Sequence, residues 1–219
     1  MSPKTRIPLS RDRILRAALD LADRDGFEAC TMRRLGAQLG VEAMSLYRYV
    51  TNKEDLLSGL VDLVFAEVEL EEPGTTEWRA AMRARAHSHR AAMRRHPWAI
   101  GFMEGRMQPG PSSIRVHDAT LGILRKGGLP FRAAVHAMSA IDAYVYGFAL
   151  QERDLPARAD GTTAEVMREQ ARLVPDMHDF PYLVEAMTEF ADGGYDYDAE
   201  FAFGLELILD GVERLLSSP

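Results

Sequence analysis

The chain has 219 residues, of which 47% are apolar and 27% charged, and these fractions exclude the disordered, collagen-like and membrane-embedded classes. Its 29 alanines and 24 leucines outnumber its 12 valines, 7 isoleucines and 9 threonines, so helices are favoured over sheets. The formal net charge is −7, yet residues 1–60 carry 10 lysines and arginines against 8 acidic residues. The N-terminal segment could therefore bind a polyanion, although many solvated helical faces carry a similar charge.

The cellular compartment is indicated by the cysteine content and by the apolar runs. Cys30 is the single cysteine, so neither an intramolecular disulfide nor a cysteine-rich zinc module can form. No apolar stretch follows the basic residues near the N-terminus, and no uninterrupted apolar run is long enough to span a bilayer. We therefore expect a cytoplasmic protein that does not associate with membranes.

Apolar residues recur at helical spacing from residue 14 onward, which predicts an amphipathic first helix. Ser10 is a suitable N-cap, and Gly26 is expected to end the helix with a positive φ. A second helix is predicted to start at Thr31 and to break at Gly40, and a short third helix follows over residues 43–49. The apolar positions that define the first helix are Ile14, Ala17, Ala18, Leu21 and Ala22.

The break between the second and third helices has the spacing of a helix-turn-helix motif. Gly36 allows the two helices to cross closely, and Gly40 supplies the unusual backbone of the turn. Val41 and Leu46 fill the angle between the helices. The outer face of the third helix is then free to enter the major groove of DNA.

A long fourth helix is predicted to follow the motif. It begins with a capping box, formed either by Thr51 with Glu54 or by Asn52 with Asp55. An acidic connection over residues 69–76 then leads into a second helical region. Further helices are predicted over residues 78–96, 97–107, 112–126, 130–152, 164–174, 181–190 and 198–216.

Three segments carry a family resemblance. Residues 31–35, TMRRL, and residues 40–57, GVEAMSLYRYVTNKEDLL, closely resemble the DNA-binding segment of the tetracycline-repressor (TetR) family. Residues 201–211, FAFGLELILDG, resemble the last helix of the tetracycline-repressor branch. The resemblance implies an all-α protein with an N-terminal three-helix helix-turn-helix DNA-binding domain, residues 1–55, and a larger helical effector-binding and dimerisation domain, residues 56–219.

The resemblance also implies which residues meet duplex DNA. The third helix of such regulators enters the major groove, where Ala43 and Met44 would touch thymine methyl groups. Tyr47 and Lys53 match the family's phosphate contacts, which position the protein without specifying the sequence. Tyr49 could face DNA or pack in the core. The implied DNA-binding residues are Arg33, Ala43, Met44, Ser45, Tyr47, Tyr49 and Lys53.

The predicted helices near residues 130–152 and 198–216 are apolar on more than one side, so each needs two partners. The resemblance implies that these two helices of each subunit form a two-fold four-helix bundle, hence a homodimer. The alternative is that they are buried inside a monomer. The expected interface residues are Phe131, Val135, Met138, Gly204, Ile208, Gly211 and Val212.

A stripe of polar side chains follows the helix predicted over residues 130–152, within about 120° of arc. Its members are His136, Ser139, Asp142 and Tyr146. Buried polar groups need hydrogen-bond partners, so the stripe either bonds to neighbouring helices or lines the effector cavity that the resemblance implies. The other expected lining residues are Trp98, Phe102, Met103, Met107 and His117.

Enzyme motifs are missing from the sequence. It contains no HExxH, Gly-x-Ser-x-Gly, phosphate-binding loop or dinucleotide-binding glycine pattern. His87 and His89 point to different sides of a helix, so they cannot share a metal ion and are expected to face solvent or to bond a partner group. We therefore expect neither catalysis, nor a metal, nor a cofactor.

Together with these patterns, the resemblance implies a ligand-responsive transcriptional regulator, most simply a repressor. As a homodimer it would bind a pseudo-palindromic operator in double-stranded DNA, and a small-molecule effector would release it. One alternative is a helical small-molecule carrier or scaffold without DNA binding, and another is a helical enzyme with a convergent site. Salt-dependent retention on duplex DNA distinguishes the regulator from the carrier.

Overall fold

The computed structural model describes residues 8–103, 109–154, 179–193 and 196–216. The regular structure within these residues is helical, which confirms the predicted all-α class. Contacts divide the chain into two units, Met1–Ser139 and Ala140–Pro219. The predicted domain boundary after residue 55 stays a prediction.

The first unit contains the N-terminal helices and the helices that follow them. Their bounds are α1 (Arg11–Asp25), a 3₁₀ helix (Phe27–Ala29), α2 (Met32–Leu39), α3 (Ala43–Leu46), α4 (Lys53–Ala66), α5 (Trp78–Arg95), a second 3₁₀ helix (Pro97–Phe102) and α6 (Pro111–Lys126). We call residues 10–55 the head.

Helix α7 (Phe131–Asp154) begins in the first unit and continues into the second. The second unit also contains α8 (Pro181–Gly193) and α9 (Tyr197–Leu216). The helix predicted over residues 164–174 lies outside the described residues.

Two predicted helices are shorter than expected. Helix α3 ends at Leu46 instead of Tyr49, because the amides of Tyr49 and Val50 both donate to the Leu46 carbonyl and close a turn. The helix predicted over residues 97–107 is a 3₁₀ helix that ends at Phe102. Two glycines within that stretch lower its helix propensity.

The ends of α1 follow the local sequence signals. The Ser10 hydroxyl accepts a hydrogen bond from the Arg13 amide at 3.2 Å, and Gly26 ends the helix with φ +80°. The apolar stripe of α1 is buried, and it packs on Leu35 and Leu46, both fully buried in the head. The head therefore has its own hydrophobic core.

The helix-turn-helix turn depends on two glycines. Gly40 has φ +69°, a conformation that side chains other than glycine rarely adopt. Gly36 is buried where α2 crosses the next segment, and a Cβ there would lie 2.8 Å from the carbonyl oxygen of Val41. The close approach is to backbone, so no side-chain rotation can relieve it.

Replacing Gly36 by valine should destabilise the head by about 1–3 kcal/mol, because the turn must open to admit the side chain. Thermal unfolding followed by circular dichroism should show a lower Tm, and duplex binding should weaken. The matched control is Ala37→Val, at an exposed position of the same helix. Equal Tm values for the two variants would refute this account of the turn.

Asn52 is the N-cap of α4, since its side chain accepts from the Asp55 amide at 2.8 Å. The Asp55 carboxylate accepts from the Thr51 amide and hydroxyl and from Arg11, whose Nη2 lies 2.5 Å away. Arg11 also donates to the Tyr49 carbonyl at 2.7 Å. The hydrogen bond from Arg11, opposed by burial and aided by Thr51, holds the pKa of Asp55 below its ordinary value.

Helix α7 is apolar and long enough, by length and composition, to cross a membrane, a property shared by core helices of soluble proteins. It carries Asp142 and Glu152, which are 5% and 3% exposed. Buried carboxyl groups of this kind are typical of a helix packed within protein. We interpret α7 as a core helix.

Candidate DNA-binding face and the junction behind it

Helix α3 presents an exposed face on the surface of the head. Met44 is 75% exposed and Tyr47 45% exposed, whereas Leu46 of the same helix is fully buried. Ala43 and Ser45 are partly exposed. Leu46 thus anchors a short helix whose other side chains are available for contact.

Tyr49 lies at the edge of the same face. It is 37% exposed, and its carbonyl is fixed by Arg11. The alternative of core packing therefore does not describe Tyr49 in this structure. Arg33, on α2, is exposed as well.

Lys53 is positioned by two contacts. Its Nζ lies 2.5 Å from Oε2 of Glu28 and 5.0 Å from the centroid of the Phe27 ring. Half of the Lys53 side chain remains exposed, at 50%. A DNA phosphate at this place would compete with Glu28 for the ammonium group.

Replacing Glu28 by glutamine should strengthen duplex binding by up to about five-fold, because an exposed ion pair of about 0.2–1 kcal/mol no longer competes with phosphate. Fluorescence anisotropy at several salt concentrations measures the change, and the salt slope should stay the same. Glu54→Gln is the matched control, since it removes the same charge near Lys53 and leaves the Lys53–Glu28 pair intact. Equal or weaker binding by Glu28→Gln than by the control would contradict the expectation.

An aromatic cluster joins the head to the second 3₁₀ helix. The Phe27 ring stacks on Trp98 with centroids 6.0 Å apart and meets Phe102 edge-on at 5.6 Å. Both rings pack on the core of the head, and their role in lining an effector cavity stays a prediction. Met103 is buried, and Met107 lies outside the described residues.

A polar cluster lies beside these rings, and its centre is His96, which is 5% exposed. The Nδ1 atom of His96 lies 2.7 Å from Oδ1 of Asp23 on α1, and its Nε2 atom lies 3.0 Å from Oε1 of Glu67 at the end of α4. The Trp98 indole donates to the same Asp23 oxygen at 2.8 Å. Arg95 pairs with Glu67 at 2.7 Å.

The ionisation of Glu67 follows from its contacts. Burial raises the pKa of Glu67, but hydrogen bonds from His96 and Arg95 outweigh burial, so the pKa lies below the ordinary value of a glutamate. Glu67 is therefore charged at neutral pH. None of these bonds could be predicted from the sequence, since Asp23 and Glu67 lie 73 and 29 residues from His96.

Helices α4 and α6 are joined by Asp62. Its Oδ1 accepts from the Ser112 amide at 2.8 Å and the Ser113 amide at 3.2 Å, and its Oδ2 accepts from the Ser112 hydroxyl at 3.1 Å. A side chain of α4 thus satisfies the free amides at the start of α6. The position of α4 is thereby linked to the first turn of α6.

The interior of the first unit holds aromatic and basic side chains side by side. The Phe65 ring lies 5.5 Å from the His89 ring and 5.9 Å from the His117 ring, and Arg85 is 1% exposed. Burial, then Arg85 and then His117 lower the pKa of His89 to about 3, so His89 is neutral at pH 7. His87 is exposed, as a solvent-facing histidine would be, whereas His89 is buried.

The polar stripe predicted on α7 does not form one environment. Asp142 and Tyr146 are buried, whereas His136 and Ser139 are exposed. The arc of about 120° is wide enough to straddle the edge between a buried and an exposed side of one helix. A shared effector cavity for all four residues stays a prediction.

The predicted dimer residues differ in how exposed they are in the single chain. Phe131 and Gly211 are exposed, and a Cβ at Gly211 would meet no atom within 4 Å. Gly204, by contrast, is covered by the Tyr144 ring of its own chain, and Val212 is 4% exposed. Val212 is thus buried within the protomer and Gly204 is half-buried there, and the interface role of both stays a prediction. The half-buried expected residues are Val135, Met138 and Ile208.

The described residues are helical, and the short helix α3 follows α2 across a tight turn on the surface of the head. This arrangement is a helix-turn-helix. Residues 14–60 match the family model described as "Bacterial regulatory proteins, tetR family", and residues 70–216 match "Tetracyclin repressor-like, C-terminal domain". The chain belongs to the tetracycline-repressor (TetR) family. It is a transcriptional regulator, and the members of this family are not enzymes.

Known relatives agree with this assignment. The HTH-type transcriptional repressor DrrR1 of Streptomyces coeruleorubidus is 38% identical over 216 residues, covering 95% of this chain and 79% of its own. The class A tetracycline repressor from transposon 1721 of Escherichia coli is 31% identical over 210 residues, covering 94% and 91%. The crystal structure of Streptomyces coelicolor ActR with actinorhodin has a TM-score of 0.80 and 30% identity, covering 97% and 100%.

Proposed function

We propose that the chain is a cytoplasmic homodimeric repressor that binds a pseudo-palindromic operator and releases it when a small molecule binds. The observation that carries the proposal is the exposed face of α3, with Met44 and Tyr47 projecting from it, together with the half-exposed Lys53 at the start of α4. Met44 and Ala43 are suited to thymine methyl groups, and Tyr47 and Lys53 to phosphates.

The second unit supports the homodimer. Helix α9 exposes Phe203 at 66% and Leu207 at 59%, and Gly211 follows at the same helical spacing. Helix α7 exposes small residues, one of which is Gly147. A Cβ added at Gly147 would meet no atom within 4 Å. The exposed faces of α7 and α9 can pack against the same helices of a second chain and form a four-helix bundle. The bundle would bury the apolar side chains that a single chain leaves exposed.

The interior of the first unit supports a small-molecule effector. The relative ActR was crystallised with actinorhodin. In this chain, the rings of Phe65, His89 and His117 offer apolar surface together with imidazole hydrogen-bonding groups. We propose a mainly apolar effector that carries a few polar groups.

The experiment that tests the repressor is selection of duplexes from a random library by the full chain. We expect enrichment of an inverted repeat, with two chains bound per duplex and an affinity that falls steeply with salt. A carrier or scaffold without DNA binding would enrich no sequence and would dissociate from duplex DNA even at low salt. Enrichment of a duplex sequence without an inverted repeat would also overturn the proposal.

A further inference from the structure

The turn between α3 and α4, residues 47–52, carries two of the predicted DNA contacts. Tyr47 and Tyr49 lie in this α3–α4 turn and are exposed, and Lys53 follows it as the first residue of α4. Val50, also in the turn, is fully buried in the core of the head. A turn that carries binding groups contributes most to affinity when it already has the binding conformation before DNA arrives.

Arg11, the first residue of α1, holds this turn through its guanidinium group. Its Nη1 donates to the Tyr49 carbonyl at 2.7 Å and to Oδ2 of Asp55 at 3.1 Å, and its Nη2 donates to Oδ1 of Asp55 at 2.5 Å. Two parallel bonds between a guanidinium and a carboxylate are the strong, directional form of this ion pair. One planar group therefore joins α1 both to the backbone of the turn and to the first turn of α4.

Asp55 holds the turn from the other side. Its Oδ2 accepts from the Thr51 amide at 2.8 Å and from the Thr51 hydroxyl at 3.2 Å, while its own amide donates to the Asn52 side chain at 2.8 Å. The hydrogen bond between Asp55 and Arg11 lowers the pKa of Asp55 and raises the pKa of Arg11. Both groups are therefore charged at neutral pH.

Helices α1 and α4 approach each other closely beside this pair. A Cβ added at Gly59, one helical turn after Asp55, would lie 2.6 Å from Cδ2 of Leu15 and 3.4 Å from Nη2 of Arg11. Leu15 follows Arg11 by one turn on α1 and is buried. The packing of the two helices thus sets the distance that Arg11 spans, which reduces the entropy lost when the pair forms.

We propose that Arg11 and Asp55 are a positioning pair, which holds the α3–α4 turn in the conformation that contacts DNA. The negative charge of Asp55 then increases operator affinity, although a carboxylate near a DNA-binding face would by charge alone repel phosphate. Without the pair, the turn has the binding conformation for only a fraction of the time, and the affinity falls by that fraction. The inference rests on the proposed operator binding.

The test compares Asp55→Asn with Asp25→Asn in the binding of the intact protein to the selected duplex, by fluorescence anisotropy. Each variant removes one carboxylate that pairs with an arginine of the head, and the two carboxylates are similarly exposed, at 26% and 30%. Asp25 pairs with Arg34 and so joins α1 to α2 instead of to the turn. We expect Asp55→Asn to bind about three- to ten-fold more weakly than the wild-type protein, and Asp25→Asn to bind at least as well.

The salt dependence separates positioning from direct contact with phosphate. Arg11→Met should weaken binding without changing the slope of log affinity against log salt, because the same phosphate contacts form once the turn is in place. A lost phosphate contact would instead reduce the slope by about 0.9. The double variant, Arg11→Met with Asp55→Asn, should bind about as weakly as the weaker single variant, since either change alone breaks the pair.

Four results would overturn the proposal. They are wild-type or stronger affinity in Asp55→Asn, an equal loss in Asp25→Asn, a slope reduced by about 0.9 in Arg11→Met, and a double variant that shows the product of the two single losses.

A further variant keeps the test decisive if circular dichroism shows that Asp55→Asn does not fold. Arg11→Lys keeps the positive charge but not the planar group that reaches Tyr49 and both oxygens of Asp55. Weaker binding by Arg11→Lys with an unchanged salt slope would support the pair, and wild-type affinity would overturn it. A wild-type chain that selects no duplex is a different failure, because it overturns the proposed operator binding itself and this inference with it.

Discussion

Replacing Leu207 by glutamate is expected to dissociate the dimer. Leu207 is 59% exposed on α9, so glutamate is tolerated in the separate chain, but the dimer would bury its charge against an apolar face. Burial of an unpaired charge should cost about 3 kcal/mol or more, which weakens dimerisation by at least about 100-fold. Operator affinity should fall with it, because one head alone contacts a single half-site.

Sedimentation velocity at micromolar concentration measures this change. Ile114→Glu is the matched control, since Ile114 is an exposed apolar residue of α6 at 56% exposure. Gly211→Leu is a second variant that tests the same interface. A Cβ at this position meets no atom of its own chain within 4 Å, so the leucine would obstruct only a partner helix. A wild-type monomer, or an unaltered dimer in both Leu207→Glu and Gly211→Leu, would contradict the four-helix bundle.

Replacing Lys53 by alanine together with Tyr47 by phenylalanine is expected to weaken binding to every duplex. Each lost phosphate contact should reduce the slope of log affinity against log salt by about 0.9. Met44→Ala should instead change base preference by about 1–3 kcal/mol at the contacted position, with an unchanged slope. Anisotropy with the selected duplex and with scrambled duplexes separates the two effects.

Lys126→Ala is the control for this pair, because it removes a cation on α6 that bonds the Pro73 carbonyl at 2.6 Å. Its salt slope should match that of the wild-type protein. An intact slope in the Lys53 and Tyr47 double variant would show that these side chains do not contact phosphate. If Met44→Ala lost the same affinity for the selected and for the scrambled duplexes, Met44 would not contribute to base recognition.

Local features of the head could be read from the sequence because their causes are local. Ser10 and Asn52 cap helices through bonds to amides three residues away, and Gly26 and Gly40 adopt the positive φ expected of glycine at a helix end. The exposed face of α3 follows from the burial of Leu46, which the spacing of the motif predicts.

Features that depend on distant contacts could not be read in this way. Gly204 has the size that a helix interface requires, but only the fold shows that Tyr144, 60 positions earlier in the sequence, covers it. The bonds of His96 to Asp23 and Glu67 likewise join residues that are 73 and 29 positions apart in the sequence. Periodicity assigns a residue to an arc of its helix, whereas the neighbours on that arc are set by tertiary packing.

On the proposed function, operator and effector compete through one dimer. The direct measurement is the affinity of a small molecule, identified by thermal shift of the free protein, for the dimer with and without the selected duplex. We expect weaker binding to the operator-bound dimer by a coupling of about 1–3 kcal/mol, and an equal loss of operator affinity when the small molecule is present. Equal affinity for the free and the operator-bound dimer would contradict the account.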